Sequence, residues 1–387
     1  RGGRVSGATL AAGHAPASAD AVRDALRAAH DAGEPLRVVG AATWLDAGAH
    51  AVAAPHLRLD APAGVIAYEP GDLVITAHAG TTLAELDRVT AAEGQWLALD
   101  PPAHAPATIG ATVATASAGP LAHHAGTPRD LVLGLDAVDG RGEALRAGGR
   151  VVKNVAGFDL VRLFTGSHGT LGAITAVSLR LRARPAHEVT LALPAPTPDA
   201  LHALATALRA PALAPLAVEW VHAAVARAIG AGDHDTVLVR LGGNASFVRG
   251  QRDAVRRLAP PADERPAAVW DALRTLALDA PVAYRASGPV ATVAARVARE
   301  VARGWTHGGA LVTASLGRGI VRVSLPAVTD ADRRAIPVAA GDERIALERL
   351  PATWWHDHAD PFDAPLARRV RDAFDPRRIL RPEATRG

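Results

Sequence analysis

Residues 148–175, GGRVVKNVAGFDLVRLFTGSHGTLGAIT, constrain the fold of this chain more than any other stretch. Gly166, Gly169 and Gly172 are spaced through a turn that runs straight into a strand-like segment. Glycine tolerates positive φ and close backbone approach, so peptide N–H groups in such a turn can converge on a phosphate or a carbonyl. The same spacing also suits a tight turn with no ligand. Upstream, Asp159 is placed to cap a short helix that runs to Phe164, a structural role, and Gly166 lies at its end. The only lysine of the chain, Lys153, falls in this stretch, and the other basic residues are arginine. A compact ammonium fits where a planar five-donor fork does not, so Lys153 is either a fixed charge beside a bound group or a brace for the turn at 157–159.

Composition mainly excludes. A chain of 387 residues exceeds what one growing core supports, so two domains are expected. Aromatic residues are 4% and the net charge is +3, with arginines scattered among acids, which does not make the basic stripe of a nucleic-acid binder. Without cysteine the chain has no disulfide, thiolate nucleophile or cysteine-ligated cluster. No apolar run reaches 18 residues, so no membrane span is expected and a cytoplasmic location is the default.

The chain opens with a helix capped by Ser18 or Asp20, carrying Val22, Leu26 and Ala29 on one face and stopped by Gly33. A strand at 36–39 breaks into a loop of small residues at 40–48, and a second strand at 73–77 precedes a helix capped by Thr81 or Thr82 with Glu85. Residues 100–120, DPPAHAPATIGATVATASAGP, suit a backbone packed on something flat or charged, or simply an alanine-rich helix and loop. A hairpin is expected over 129–149, turning at Asp139-Gly140. Residues 174–181 alternate as a half-buried strand, with Val177, Leu179 and Leu181 opposite Ser178, Arg180 and Arg182. Prolines 185, 194, 196 and 198 mark a domain boundary near Arg184. Beyond it, helical runs such as 199–209 alternate with strands such as 236–241 and 320–325, and the tail is an amphipathic helix ending at Asp375-Pro376.

These segments carry a resemblance. KNVAGFDLVRLFTGSHGTLGAIT closely resembles the signature of FAD-linked oxidases of the vanillyl-alcohol oxidase/para-cresol methylhydroxylase (PCMH) type. VVGAATWLDAG, PATIGATVATASAGP and HAGTPRDLVLGLDAVDGRGE fall in order as that family's first FAD loop, second FAD loop and following hairpin, and FDPRRILRP resembles its closing segment. The resemblance covers about residues 15–184 and the tail, and within the family the wording is most similar to the E subunits of bacterial glycolate oxidases.

The resemblance implies an α+β fold: a two-part PCMH-type FAD-binding domain over 1–184, a smaller α/β cap domain over 185–350, and a segment over 351–387 that packs back on the FAD domain. It implies FAD as cofactor, held by Val39, Gly40, Ala41, Ala42 and Thr43, by Pro102, Thr108, Ile109, Gly110, Ala111, Thr115, Ser117 and Gly119, and by Lys153, Gly157, Gly166, Ser167, Gly169 and Ile174. It further implies glycolate or another small 2-hydroxy acid as substrate, and a catalytic flavoprotein subunit and an iron–sulfur subunit as partners, through which the chain would associate with the inner membrane face.

Several departures leave alternatives open. Val39, Ala41 and Ala42 stand where the family has arginine and glycines, Trp44 where lysine is frequent, and Arg381 and Glu383 where Asn and Gly are usual. The family's HGDGNLH-like segment is replaced by WTHGGALVTASLGRGIVRV, in which only His307 and Gly308 echo it. A free-standing 2-hydroxy-acid dehydrogenase would use Arg240 or Arg318 on the carboxylate and His307 as base; a scaffold that has lost flavin is the third option. His123 and His124 either flank the flavin or are solvated. No metal is expected, since His356 and His358 lack a third fixed partner. Arg129 and Asp130 read as a buried structural pair.

Overall fold

The computed structural model describes residues 15–43, 56–59, 62–149, 159–195, 197–259, 261–306, 309–338, 341–358 and 364–380. The helix Ala19–Ala32 begins where the Ser18 hydroxyl accepts from Ala21 N at 3.1 Å and ends at Gly33, whose φ of 69° suits glycine. Its Val22, Leu26 and Ala29 pack on Leu36, Leu57, Val138, Ala173, Ile379 and Leu380. The strand Arg37–Val39 pairs in parallel with His56–Arg58, a strand with no clear periodicity in the sequence.

Five antiparallel strands form the adjoining sheet, in the order Val65–Glu69, Val74–His78, Gly172–Arg180, Val132–Asp139 and Ala144–Gly148. The expected hairpin is present, and Asp139 accepts from the N–H groups of Arg141 and Glu143 to fix its turn. Gly172–Arg180 differs from expectation: it is the central strand, buried on both faces through Val177, and its alternation shows only from Ser178 onward. Ala173 faces the helix Ala19–Ala32 while Ile174 enters the other core with Phe164 and Ile109. The helix Pro365–Phe374 returns here, with Phe374 edge-on to Phe164 at 5.6 Å between ring centres. Asp375 behind it is fully buried and accepts from Ile379 N and Leu380 N.

From His187 the chain builds an eight-stranded sheet whose pairings are all antiparallel. Its order is Asp263–Arg265, His187–Pro194, Thr236–Gly243, Ala217–Val221, Leu311–Ser315, Ile320–Leu325, Val282–Ser287 and Arg344–Arg349. Helices Pro198–Ala207 and Val293–Ala302 cover one face, which is apolar along its length. Trp220 is the largest side chain buried there, and truncation to alanine would cost about 3–5 kcal/mol. On the opposite face, helices Ala223–Ala228 and Ala268–Thr275 cover only one half. The uncovered half carries Glu219, Arg285, Thr313, Ser315, Arg322, Ser324 and Glu348, because side chains alternate between faces along a strand.

Candidate functional site

Three loops named from the sequence meet in space. A methyl group on Gly40 would collide with the Thr108 hydroxyl, and one on Gly169 would reach Val38 at 3.3 Å. Gly166 N donates to Val113 O at 3.1 Å and His168 N to Ala114 O at 2.8 Å, which ties the glycine turn to the helix Ile109–Ala114. Each loop holds one non-glycine residue at positive φ: Ala42 at 55°, Ala116 at 49° and His168 at 53°. Such strain persists where surrounding structure enforces it. Ala42 thus adopts the left-handed turn that glycine would favour.

Two hydroxyls at this junction, Thr108 Oγ1 and Ser167 Oγ, are buried with no hydrogen-bond partner among the described residues. A buried hydroxyl left unpaired is costly, so both fit the polar groups of a bound ligand. The N–H groups of Ile109 and Gly110 do not share this role, being bonded to Thr81 O and Ala79 O. Thr115 Oγ1 donates to Ala111 O at 2.7 Å and lies 3.0 Å from Ser117 Oγ, so the threonine hydroxyl is engaged within the segment. Ile109 and Ile174 put their side chains into the core.

A cavity opens between the segment at 100–120 and the uncovered half of the large sheet. Asp100, Pro102, Gly119 and Pro120 wall one side, and Leu273, Arg274 and Leu276 another. On the sheet side Glu219 is 6% exposed and stands opposite Ser315 in register. Burial pushes its carboxyl up to about 7, against the opposing pull of Ser315 and Arg318, while Asp100 adds repulsion. Burial likewise raises Asp100 to about 7, although Arg274 and the Leu121 N–H, at 3.0 Å, favour its charge.

Arg285 and Arg322 share Glu348, at 2.5 and 3.2 Å. Arg349 is turned to backbone oxygens of Leu278 and Ala280, and Arg274 to Asp271. Arg318 differs, since among the described residues nothing hydrogen-bonds its guanidinium, and burial holds its pKa below the usual arginine value. The wall therefore combines an unpaired cation with a protonatable carboxyl. It can hold an anion and exchange a proton beside it.

Of the residues predicted from sequence, Pro102, Gly119 and Arg318 line the cavity. Lys153, Gly157 and His307 lie outside the described residues. Arg240 does not line the cavity: on the strand next to Ala217–Val221, its guanidinium pairs with Glu188 at 2.6 Å and lies over Trp96. Arg129 and Asp130 are exposed rather than buried, and Asp130 instead accepts from Thr127 in a helix cap. His123 packs on Gly317, and burial lowers its pKa, while His124 is exposed. No cluster of three potential metal ligands occurs among the described residues. Glu219, Asp100, Arg285 and Glu348 were missed; the available signal was a polar residue set among apolar ones in short strands, as in AVEWV.

Residues 11–148 match the FAD binding domain family. Glycolate oxidase subunit GlcE of Escherichia coli (strain K12) is 43% identical over 129 residues, 33% of this chain and 37% of that protein. D-lactate dehydrogenase of Archaeoglobus fulgidus is 31% identical over 208 residues, 53% of this chain and 46% of that protein. The chain thus spans less than half the length of either relative. A solved alkyldihydroxyacetonephosphate synthase matches with a TM-score of 0.67 at 16% identity, over 96% of this chain and 75% of that one, which establishes a common fold. Among the described residues no helix is long and apolar enough to cross a membrane.

Proposed function

We propose, from the premise that this chain carries an FAD binding domain over residues 11–148 and has FAD as its cofactor, that it is the FAD-binding subunit of a glycolate (2-hydroxy acid) oxidase or dehydrogenase complex. The similarity to GlcE supports the substrate class. The observation that carries the reading is the unpaired Arg318 in a cavity walled by the Asp100, Pro102 and Gly119 segment. Arg318 receives the substrate carboxylate, a charge-assisted bond worth about 1.5–3 kcal/mol.

The segments at 39–43, 108–119 and 166–169 hold FAD, with the Thr108 and Ser167 hydroxyls supplying polar contacts that the protein itself leaves open. Lys153 and Gly157 belong to the same site in this reading, with the lysine ammonium as a fixed cation. When bound, FAD takes the electrons of the oxidised C–H bond. The protein lacks cysteine ligands for a cluster, so onward transfer falls to a catalytic flavoprotein partner and an iron–sulfur partner, or to a diffusible acceptor. The division near residue 184 separates the FAD-binding part from the part that supplies the substrate wall; in the closing segment Trp354 and Trp355 stay in the core of the large sheet, and Pro365–Phe374 belongs with the FAD-binding part.

A second reading, a free-standing FAD-dependent 2-hydroxy-acid dehydrogenase, is favoured by the similarity to D-lactate dehydrogenase over 208 residues. Anaerobic mixing of the purified flavoprotein with glycolate, or with D-lactate, tests both. Bleaching of the flavin by either acid without other subunits supports turnover on this chain, and acceptor reduction only with partners supports the complex. A colourless protein that FAD does not reconstitute would overturn both and leave a scaffold.

A further inference from the structure

We infer that Glu219 is the proton acceptor for the hydroxyl of a 2-hydroxy acid whose carboxylate rests on Arg318, an assignment that builds on the function proposed above. Glu219 sits in the middle of Ala217–Val221, flanked by Val218 and Trp220, which point into the core on the other face. Its own side chain faces the cavity, and its Oε1 is buried with no hydrogen-bond partner among the described residues. An incompletely paired carboxyl in such a place costs stability that an apolar residue would not, which marks it as functional.

The groups facing Glu219 come from each neighbouring element. Ser315 and Arg318 belong to the adjacent strand and its turn, Arg322 to the next strand, and Asp100 to the loop across the cavity. His123 stands beyond Arg318, and Arg274 beyond Asp100. Arg318 and Glu219 are therefore near enough to serve one small acid, the cation on its carboxylate and the carboxylate on its hydroxyl.

The step balances with FAD as the oxidant. The substrate O–H bond would break with its proton passing to a Glu219 oxygen, and bound FAD would supply the two-electron oxidant that takes up the C2–H bonding pair with its hydrogen. The C–O bond becomes C=O, the product is the 2-oxo acid, and Glu219 returns its proton to water after release. Burial, opposed by Arg318, places the carboxyl at about 7, where a general base works well near neutral pH.

The test is single-turnover flavin reduction by glycolate across pH in the flavin-loaded protein, with Glu219→Gln and Glu219→Asp. The wild-type rate is expected to be level above about pH 7 and to fall about tenfold per unit below it. Glu219→Gln should lose roughly 10²–10⁴-fold with flavin content intact and the pH slope gone, and Glu219→Asp should recover part of the rate with the slope. A readout independent of turnover is oxalate binding by calorimetry in two buffers of different ionisation heat. Wild type should take up a proton on binding near neutral pH, and Glu219→Gln should not. Wild-type rate and slope in Glu219→Gln, or equal proton uptake, would sink the assignment while leaving the function standing. A wild-type flavin that no 2-hydroxy acid reduces would overturn the function itself. If Glu219→Gln fails to fold, a flat wild-type profile between about pH 6 and 8 is enough to reject the role.

Discussion

The His123 ring lies directly over Gly317, so close that a Cβ at that glycine would overlap its Nδ1 and Cε1. His123 belongs to Ala122–Ala125 beside the loops proposed to hold FAD, and Gly317 to the turn between Leu311–Ser315 and Ile320–Leu325 that carries Arg318. The contact therefore sets how the cavity wall faces the loops. Gly317→Ala should destabilise by about 1–3 kcal/mol through overpacking, and His123→Ala in the same chain should restore much of that loss. Thermal unfolding of the single and double variants measures the coupling, and additive effects would mean that the two residues do not meet.

Gly40→Ala should impair cofactor retention rather than folding. The added methyl would drive into Thr108 Oγ1, one of the two hydroxyls left open at the loop junction. The ratio of flavin to protein after gel filtration should drop well below wild type, with the melting profile of the apoprotein little changed. Equal flavin content would remove Thr108 from the cofactor site.

Arg318→Gln should raise the KM for glycolate roughly 10–100-fold, the equivalent of one charge-assisted hydrogen bond. Flavin content should stay the same, because none of the three loops contains this residue. Arg240→Gln is the contrasting variant: its loss should act on stability through Glu188 and Trp96, with KM unmoved.

Asp332 provides a pH-dependent prediction outside the cavity. Burial raises its carboxyl, but hydrogen bonds from the N–H and hydroxyl groups of both Thr306 and Thr329 outweigh that and hold it down at about 2. A carboxyl lowered on folding stabilises the protein above its unfolded value, here 3.8, and loses that contribution as pH falls through the folded value. Asp332→Asn should therefore melt earlier than wild type at neutral pH, with the gap closing as pH approaches about 2. A gap independent of pH would assign the effect to shape rather than charge.

Features set by neighbours in the chain were legible in the sequence. Ser18 and Gly33 bracket the first helix, Asp159 caps Leu160–Phe164 through Arg162 N, and Ile320–Leu325 has the expected bounds. The loops at 40, 108 and 166 could be named because glycine and small residues mark close backbone approach at each place. The cavity wall was not legible, since Asp100 and Glu219 meet only through the packing of loop on sheet. Arg240 and Arg318 look alike in the sequence, and only their places in the eight-stranded sheet make one a surface partner of Glu188 and the other an unpaired cavity cation. Glu219 was hidden for the same reason, as one acid in an apolar strand whose outward face is decided by distant partners.

In the eight-stranded sheet, parity along the strand separates two jobs. Residues 218, 220, 312, 314, 321 and 323 belong to the core, and 219, 313, 315 and 322 belong to the cavity. The chemistry of the cavity wall can therefore drift by single substitutions at alternate positions without repacking a core residue, whereas inserting one residue in any of these strands would exchange the two sets at once. The sheet tolerates changes of chemistry and resists changes of length.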